Sequence, residues 1–288
     1  MNIYTTSIFQ SRRIIKHNYY FFHDCKKETE CLISRLFLQT LRRPANLVAG
    51  LIQPLLWLML FGAVFKNIPL NIFYSDYNYS QFLGCGILVF TCFTGSLNAG
   101  LPLVFDREFG FLNRLLVSPL KSKNSIILAS MLFIICLTML QNFSMLIFSL
   151  KSFVHIISLQ KIQQIIIINI LLTITISSLS LGLAFVLPGH VEFLAFILII
   201  NLPTLFTSTA LAPFYLMPYW LQIVSKFNML TYAIEALRFI IINKDHNQFI
   251  ISTFGINFSL SGIILLFIII NVLSITTVTY LVNYRLEE

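Results

Sequence analysis

"FDREFGFLNRLLVSPLKSK", residues 105–123, gathers Asp106, Arg107, Glu108 and Arg114 between two long uncharged runs. The runs on either side need an apolar surrounding, whereas the island between them needs water. The whole chain has the same character: 57% of residues are hydrophobic, 10% are charged and the mean hydropathy is +0.85. A soluble domain carries about a quarter charged residues. The chain reads as a membrane protein. A hydrocarbon core of about 30 Å needs roughly 20 apolar residues per helical span, so the length accommodates about six spans with short loops.

Read from the N-terminus, residues 1–26 form a flexible tail, basic and poor in acids, without the apolar core of a secretory signal. Residues 27–43 carry Ile33, Phe37 and Leu41 on one side and Glu28, Arg35, Gln39 and Arg42 on another, the pattern of an amphipathic helix lying in the membrane interface. Pro44 is expected to end it. Span one follows at about 47–65 with Pro54 inside, and residues 66–81 read as a polar loop with an aromatic rim. Span two, about 82–104, places small residues four apart at Gly95 and Ala99 and at Ser96 and Gly100, which lets helices approach closely in lipid. Spans three to six are expected at about 126–150, 165–187, 193–212 and 256–282. The turn "PGHVE", 188–192, joins spans four and five, and residues 213–255 read as short helices dipping into an interface. The predicted fold is therefore all-α and polytopic.

Lys and Arg set the orientation. With six spans, thirteen fall on the side holding both termini, the charged island and the 188–192 turn, against six on the other. Both termini are thus expected in the cytosol, or in the stroma of a plastid. The net charge of +8 is read as this topology signal, and nucleic acid is not an expected partner. The five histidines show no ligand spacing, so no metal site is expected.

On one continuous helix, Phe105, Phe109, Leu112 and Leu116 would line a face, Asp106 and Glu108 would occupy the first turn where the helix dipole favours acids, and Pro119 would impose a stop. Physics alone leaves this an interfacial helix between two spans or a docking element. Gly110 either permits close backbone approach or is a loose position. Glu235 and Arg238, one turn apart, either pair or stand as two solvated charges.

The stretch "DREFGFLNRLLVSPL" resembles the cytosolic loop of permease subunits of ABC exporters of the type-2 family. "RRPANLVAGLIQPLLWLMLFGAVF", 42–65, and "LAPFYLMPYWLQIVSKFNMLTYAIEALR", 211–238, resemble that family's interfacial helix with span one and its re-entrant segment before the last span. The resemblance implies one transmembrane domain over 27–288 and a coupling helix that docks on a separate ATPase through Asp106, Arg107, Glu108, Gly110, Arg114 and Pro119. It implies a re-entrant segment marked by Pro218, Trp220, Tyr232, Glu235 and Arg238, and a homodimer or heterodimer of permease chains in a plastid membrane or bacterial inner membrane. Phe111 stands where a small or polar residue is common in the family, and Asn113 where an acid is common. "FNML" replaces a frequent Asn-Pro pairing.

No G-x-x-x-x-G-K-[ST] occurs, so the chain has no phosphate loop of that type. ATP and Mg are expected on the partner subunit, and no cofactor on this one. The expected cargo is amphipathic, lipid-linked or glycan-like. An ion-coupled transporter would need ionisable groups in the span cores, and spans one to five carry none there. A non-transporting component of an assembly or cofactor-maturation complex stays open as the alternative.

Overall fold

The computed structural model describes residues 25–42, 44–64, 79–117, 124–153, 159–242, 251–253 and 256–287. Most of the expected tail, the 66–78 part of the first loop, Pro119 and the stretches around His155 and Lys244 lie outside the described residues.

Helix α1 covers 25–41 and α2 Pro44–Val64. Pro44 thus opens a helix rather than merely closing one, which suits a residue that has no N–H to contribute in a first turn. Helix α3, Tyr79–Leu97, runs through a 3-10 turn, Asn98–Gly100, directly into α4, Leu101–Glu108. After the break at Phe109 and Gly110 come α5 (Phe111–Val117), α6 (Asn124–Phe153), α7 (Leu159–Val186), α8 (His190–Thr207), α9 (Tyr219–Phe227) and α10 (Met229–Ile242). A short antiparallel hairpin follows, β1 (Ile251–Thr253) with β2 (Ile256–Phe258), in the register Ile251 to Phe258. Helix α11, Leu260–Glu287, is the last described element.

Among the described residues, five helical segments are long and apolar enough to cross a membrane: Gln81–Glu108, Ser125–Ile147, Gln160–Val186, His190–Thr207 and Leu260–Val282. The apolar part of α2, Gly50–Val64, is shorter. Two boundaries differ from expectation. The last span starts at Leu260 because 256–258 is spent on the hairpin, and the fifth ends at Thr207, where Ser208 turns extended.

Helix α3 is the hub, packed against α2, α6, α7 and α10. Leu83, Val89 and Cys92 are fully buried and Cys85, Ile87 and Phe90 nearly so. A helix apolar around its whole circumference belongs at the centre of such a bundle. Close approach there depends on glycine. A Cβ on Gly86 would lie 2.6 Å from the carbonyl oxygen of Ala210, and one on Gly100 would lie 2.6 Å from that of Ser180. Polar side chains pin the same contacts: Ser180 donates to the Leu97 carbonyl (2.6 Å) and accepts the Gly100 N–H (3.0 Å). Helix α11 packs on α7, where Thr175 donates to Asn271 Oδ1 at 2.6 Å and Asn271 donates back to the Leu171 carbonyl at 3.1 Å. Such bonds hold helices together where lipid offers no hydrophobic drive. Outward faces of α2, α8 and α11 present Leu60, Ile199 and Leu273 among other exposed apolar side chains, as lipid-facing helices do.

Candidate functional site

The charged island is built differently from the single helix expected. The rod from Gln81 to Glu108 is 28 residues long, about 42 Å at 1.5 Å per residue. That exceeds a hydrocarbon core of about 30 Å, so the rod is long enough to carry its charged last turn beyond an apolar layer. Asp106 and Glu108 therefore sit in the last turn of α4, not the first turn of a docking helix. Helix geometry persists through Glu108 because nothing in 101–108 interrupts it: Pro102 stands at the start of α4, where proline is tolerated. The break comes at Gly110, whose φ of +69° is the left-handed conformation that glycine adopts without penalty. Phe105, Phe109 and Leu112 consequently do not share a face. Phe109 is 77% exposed while Leu112 is buried.

Carboxylates at a helix C-terminus face the unfavourable end of the dipole. Here each is met by a partner from another element. Asp106 accepts from the Arg35 guanidinium of α1, which also lies 4.0 Å from the ring centre of Phe111. Glu108 accepts the backbone N–H of His190 at 2.6 Å, and its other carboxylate oxygen lies 2.6 Å from His190 Nδ1. Since His190 is the first residue of α8 and Gly189 before it has no capping side chain, Glu108 serves as an N-cap delivered from another helix. Arg107 donates to the carbonyls of Leu187 and Pro188, just past the end of α7. One guanidinium thus satisfies carbonyls that a helix end leaves open. The three successive charges staple α4 to α1, to the end of α7 and to the start of α8.

What remains outward is mostly apolar. Phe109 and Val117 are strongly exposed, Phe111 is 37% exposed, and Asn113 and Arg114 lie on the exposed side of α5. Leu112 anchors that helix in the core. Glu192 stands in the first turn of α8 near the same turn, its carboxylate within 2.6 Å of where a Gly189 Cβ would be.

The second group of expected residues lies at the other end of the bundle. Pro218 precedes α9, and Trp220 on it is 65% exposed. In α10, Tyr232 donates to the Lys226 carbonyl at 2.7 Å. Arg238 pairs with Glu235 at 2.5 Å, donates to the Thr209 carbonyl at 2.6 Å and stacks 3.5 Å from the Phe82 ring centre. The pair is not two solvated charges: the Arg238 side chain is 4% exposed. The structure therefore brings 106–114 together with Arg35 and His190, and keeps 218–238 apart from them. Arg35 and His190 were missed because partnership across 71 and 82 residues leaves no local periodicity; the excess of short-range charge in "DRE" was the available hint. Among the described residues no three His, Cys, Asp or Glu side chains gather as a metal site.

The several apolar helices long enough to span a membrane agree with the comparisons to known proteins. The ABC-2 type transporter family profile matches residues 27–242. The chain is 49% identical over 263 residues to "Putative transport permease ycf38" of Porphyra purpurea, covering 91% of this chain and 90% of that protein. It is 45% identical to the protein of the same name in Pyropia yezoensis (92% of each chain) and 47% identical to that of Cyanophora paradoxa (83% and 84%). The chain is an integral membrane protein that belongs to the ABC-2 type transporter family.

Proposed function

We propose that this chain is the membrane-spanning subunit of an ATP-driven ABC exporter, working with a separate ATPase and a second permease chain. The observation that carries the reading is the family match across 27–242, together with relatives named as transport permeases. In this reading α2 is a further span, giving six: its 21 residues carry no charge and measure about 31 Å along a helix. Helices α9 and α10, at nine and fourteen residues, are too short to cross and form the re-entrant segment. Both termini lie on the ATPase side, in the stroma if the membrane is that of a plastid. The relatives in Porphyra purpurea, Pyropia yezoensis and Cyanophora paradoxa support the plastid assignment.

The ATPase contact is the α4–α5 turn. Its outward Phe109, Phe111 and Arg114 supply the docking surface, while Asp106, Arg107 and Glu108 transmit force to α1, α7 and α8. ATP and Mg bind the partner, and nucleotide-driven closure of the ATPases biases the permease dimer between two states. The cargo is amphipathic, lipid-linked or glycan-like.

Mild-detergent capture of the tagged chain from its native membrane tests the reading. An ABC ATPase should accompany it and be lost from the Phe109→Glu, Phe111→Glu double variant. Recovery of other membrane proteins with no ATPase at any salt concentration overturns it, in favour of an assembly component.

A further inference from the structure

A cleft of about 340 Å³ opens between α1, α2, α3, α4 and α6 and the 3-10 turn that follows α3. Its size falls at the lower end of that of small-molecule sites. Its lining divides in two. Gln53, Thr94, Asn98 and Gln141 supply amides and a hydroxyl, while Phe133 and Leu137 are prominent in an apolar wall. Among the described residues, no charged one lines it. A smaller adjoining cavity shares Thr40, Leu101, Pro102 and Phe133 with it and adds Gln39, whose Oε1 is buried with no hydrogen-bond partner among the described residues. An unpaired buried acceptor is costly and calls for a donor.

The cleft is also held open by the make-up of its walls. A Cβ on Gly50 would lie 2.6 Å from Gln141 Nε2, and a Cβ on Gly95 would lie 3.0 Å from Gln141 Oε1. Two glycines on two helices thus make room for one amide on a third. Depth is set by the rod: Asn98 lies ten residues before Glu108, about 15 Å along the helix. Thr40 belongs to α1 at the same charged end of the bundle, so the cleft runs from that interface into the adjoining leaflet.

We infer that this cleft binds the neutral, hydroxyl-rich headgroup of an amphiphile, such as a glycosylated lipid, with the hydrocarbon tail left toward the bilayer. Amide side chains both donate and accept, as sugar hydroxyls do. A phosphate headgroup would need Arg or Lys in the lining, and a cationic one an acid; neither is among the described residues that line it. Gln39 Oε1 supplies a waiting acceptor beside the cleft. The assignment deepens the exporter reading by naming a place and a headgroup chemistry for its cargo, and it rests on that reading only for the transport step after binding.

The test uses the full chain in lipid nanodiscs without any ATPase, labelled by a photoreactive alkyl glucoside with a diazirine in its tail. Labelling should saturate, map to peptides of α2, α3 and α6, and be competed by dodecyl maltoside but not by dodecylphosphocholine. Asn98→Leu with Gln53→Leu removes two hydrogen-bonding groups from exposed positions and should weaken labelling by about tenfold. Leu137→Trp, which fills the cleft while leaving its amide residues in the sequence, should abolish it. Headgroup-blind competition, unsaturable labelling, or full labelling of the Leu137→Trp variant overturns the proposal. Competition by free maltose equal to that by dodecyl maltoside overturns the amphiphile assignment in favour of a soluble sugar. Because no ATPase is involved, these outcomes are independent of whether an ATPase is captured with the chain.

Discussion

Glu108 and His190 are joined twice, through the backbone N–H of His190 and through its ring Nδ1, both at 2.6 Å. The first bond ties the end of one membrane rod to the beginning of another. Glu108→Gln keeps an acceptor for the N–H, whereas Glu108→Ala removes it and leaves the first turn of α8 uncapped. The Ala variant should lower the thermal midpoint of the purified chain and expose the 187–192 turn to protease, and the Gln variant should stay close to the parent. Equal losses in the two would show that the carboxylate charge, not the cap, is what matters.

Gly110 separates strain from sterics. A Cβ there would meet no atom of the described residues within 4 Å, so the cost of Gly110→Ala is set by its positive φ. That cost should be about 1–2 kcal/mol, read from equilibrium unfolding in mixed micelles. Gly110→Asn should cost less, since Asn tolerates this region. If the Ala variant is neutral, the turn adopts another conformation.

Much of the fold was legible because membrane physics is coarse. Long uncharged runs announce spans, and the small residues Gly95 and Gly100 announced close contacts that α6 and α7 indeed make. Other features were not readable from local pattern. Phe105 to Leu116 has a helical period, and the period is broken by one glycine conformation that hydrophobicity does not encode. Pairings such as Arg35 with Asp106, or Arg238 with the Thr209 carbonyl, depend on which helices are neighbours. Ile256–Phe258 illustrates a third limit: β-branched and aromatic residues continuous with an apolar run look like span until the hairpin claims them.

Two glycines in neighbouring helices give opposite expectations. A Cβ on Gly86 would press on backbone atoms of Ala210 at 2.6 and 2.7 Å, and backbone cannot swing aside as a side chain can. Gly86→Ala should therefore cost about 1–3 kcal/mol, the usual penalty of overpacking. Gly62 in α2 has open space around its Cβ position, so Gly62→Ala should stabilise by about 0.5–1 kcal/mol through helix propensity. Unfolding of both variants in the same detergent distinguishes packing from propensity.

Arg238 supplies the sharpest contrast between removing one charge and removing two. Its guanidinium is buried against the Phe82 ring and bonded to Glu235 and the Thr209 carbonyl. Arg238→Met strands the Glu235 carboxylate, whose side chain is only 21% exposed, and should destabilise the chain by about 3–5 kcal/mol. Adding Glu235→Gln removes the stranded charge. The double variant should therefore recover much of that loss, giving a strong coupling energy in a double-mutant cycle. Arg238→Lys should not recover it, since an ammonium lacks the planar fork that reaches carboxylate and carbonyl together while lying flat on the ring. Additive losses in the cycle would mean that Arg238 acts through the Thr209 carbonyl and the Phe82 ring, with Glu235 a bystander.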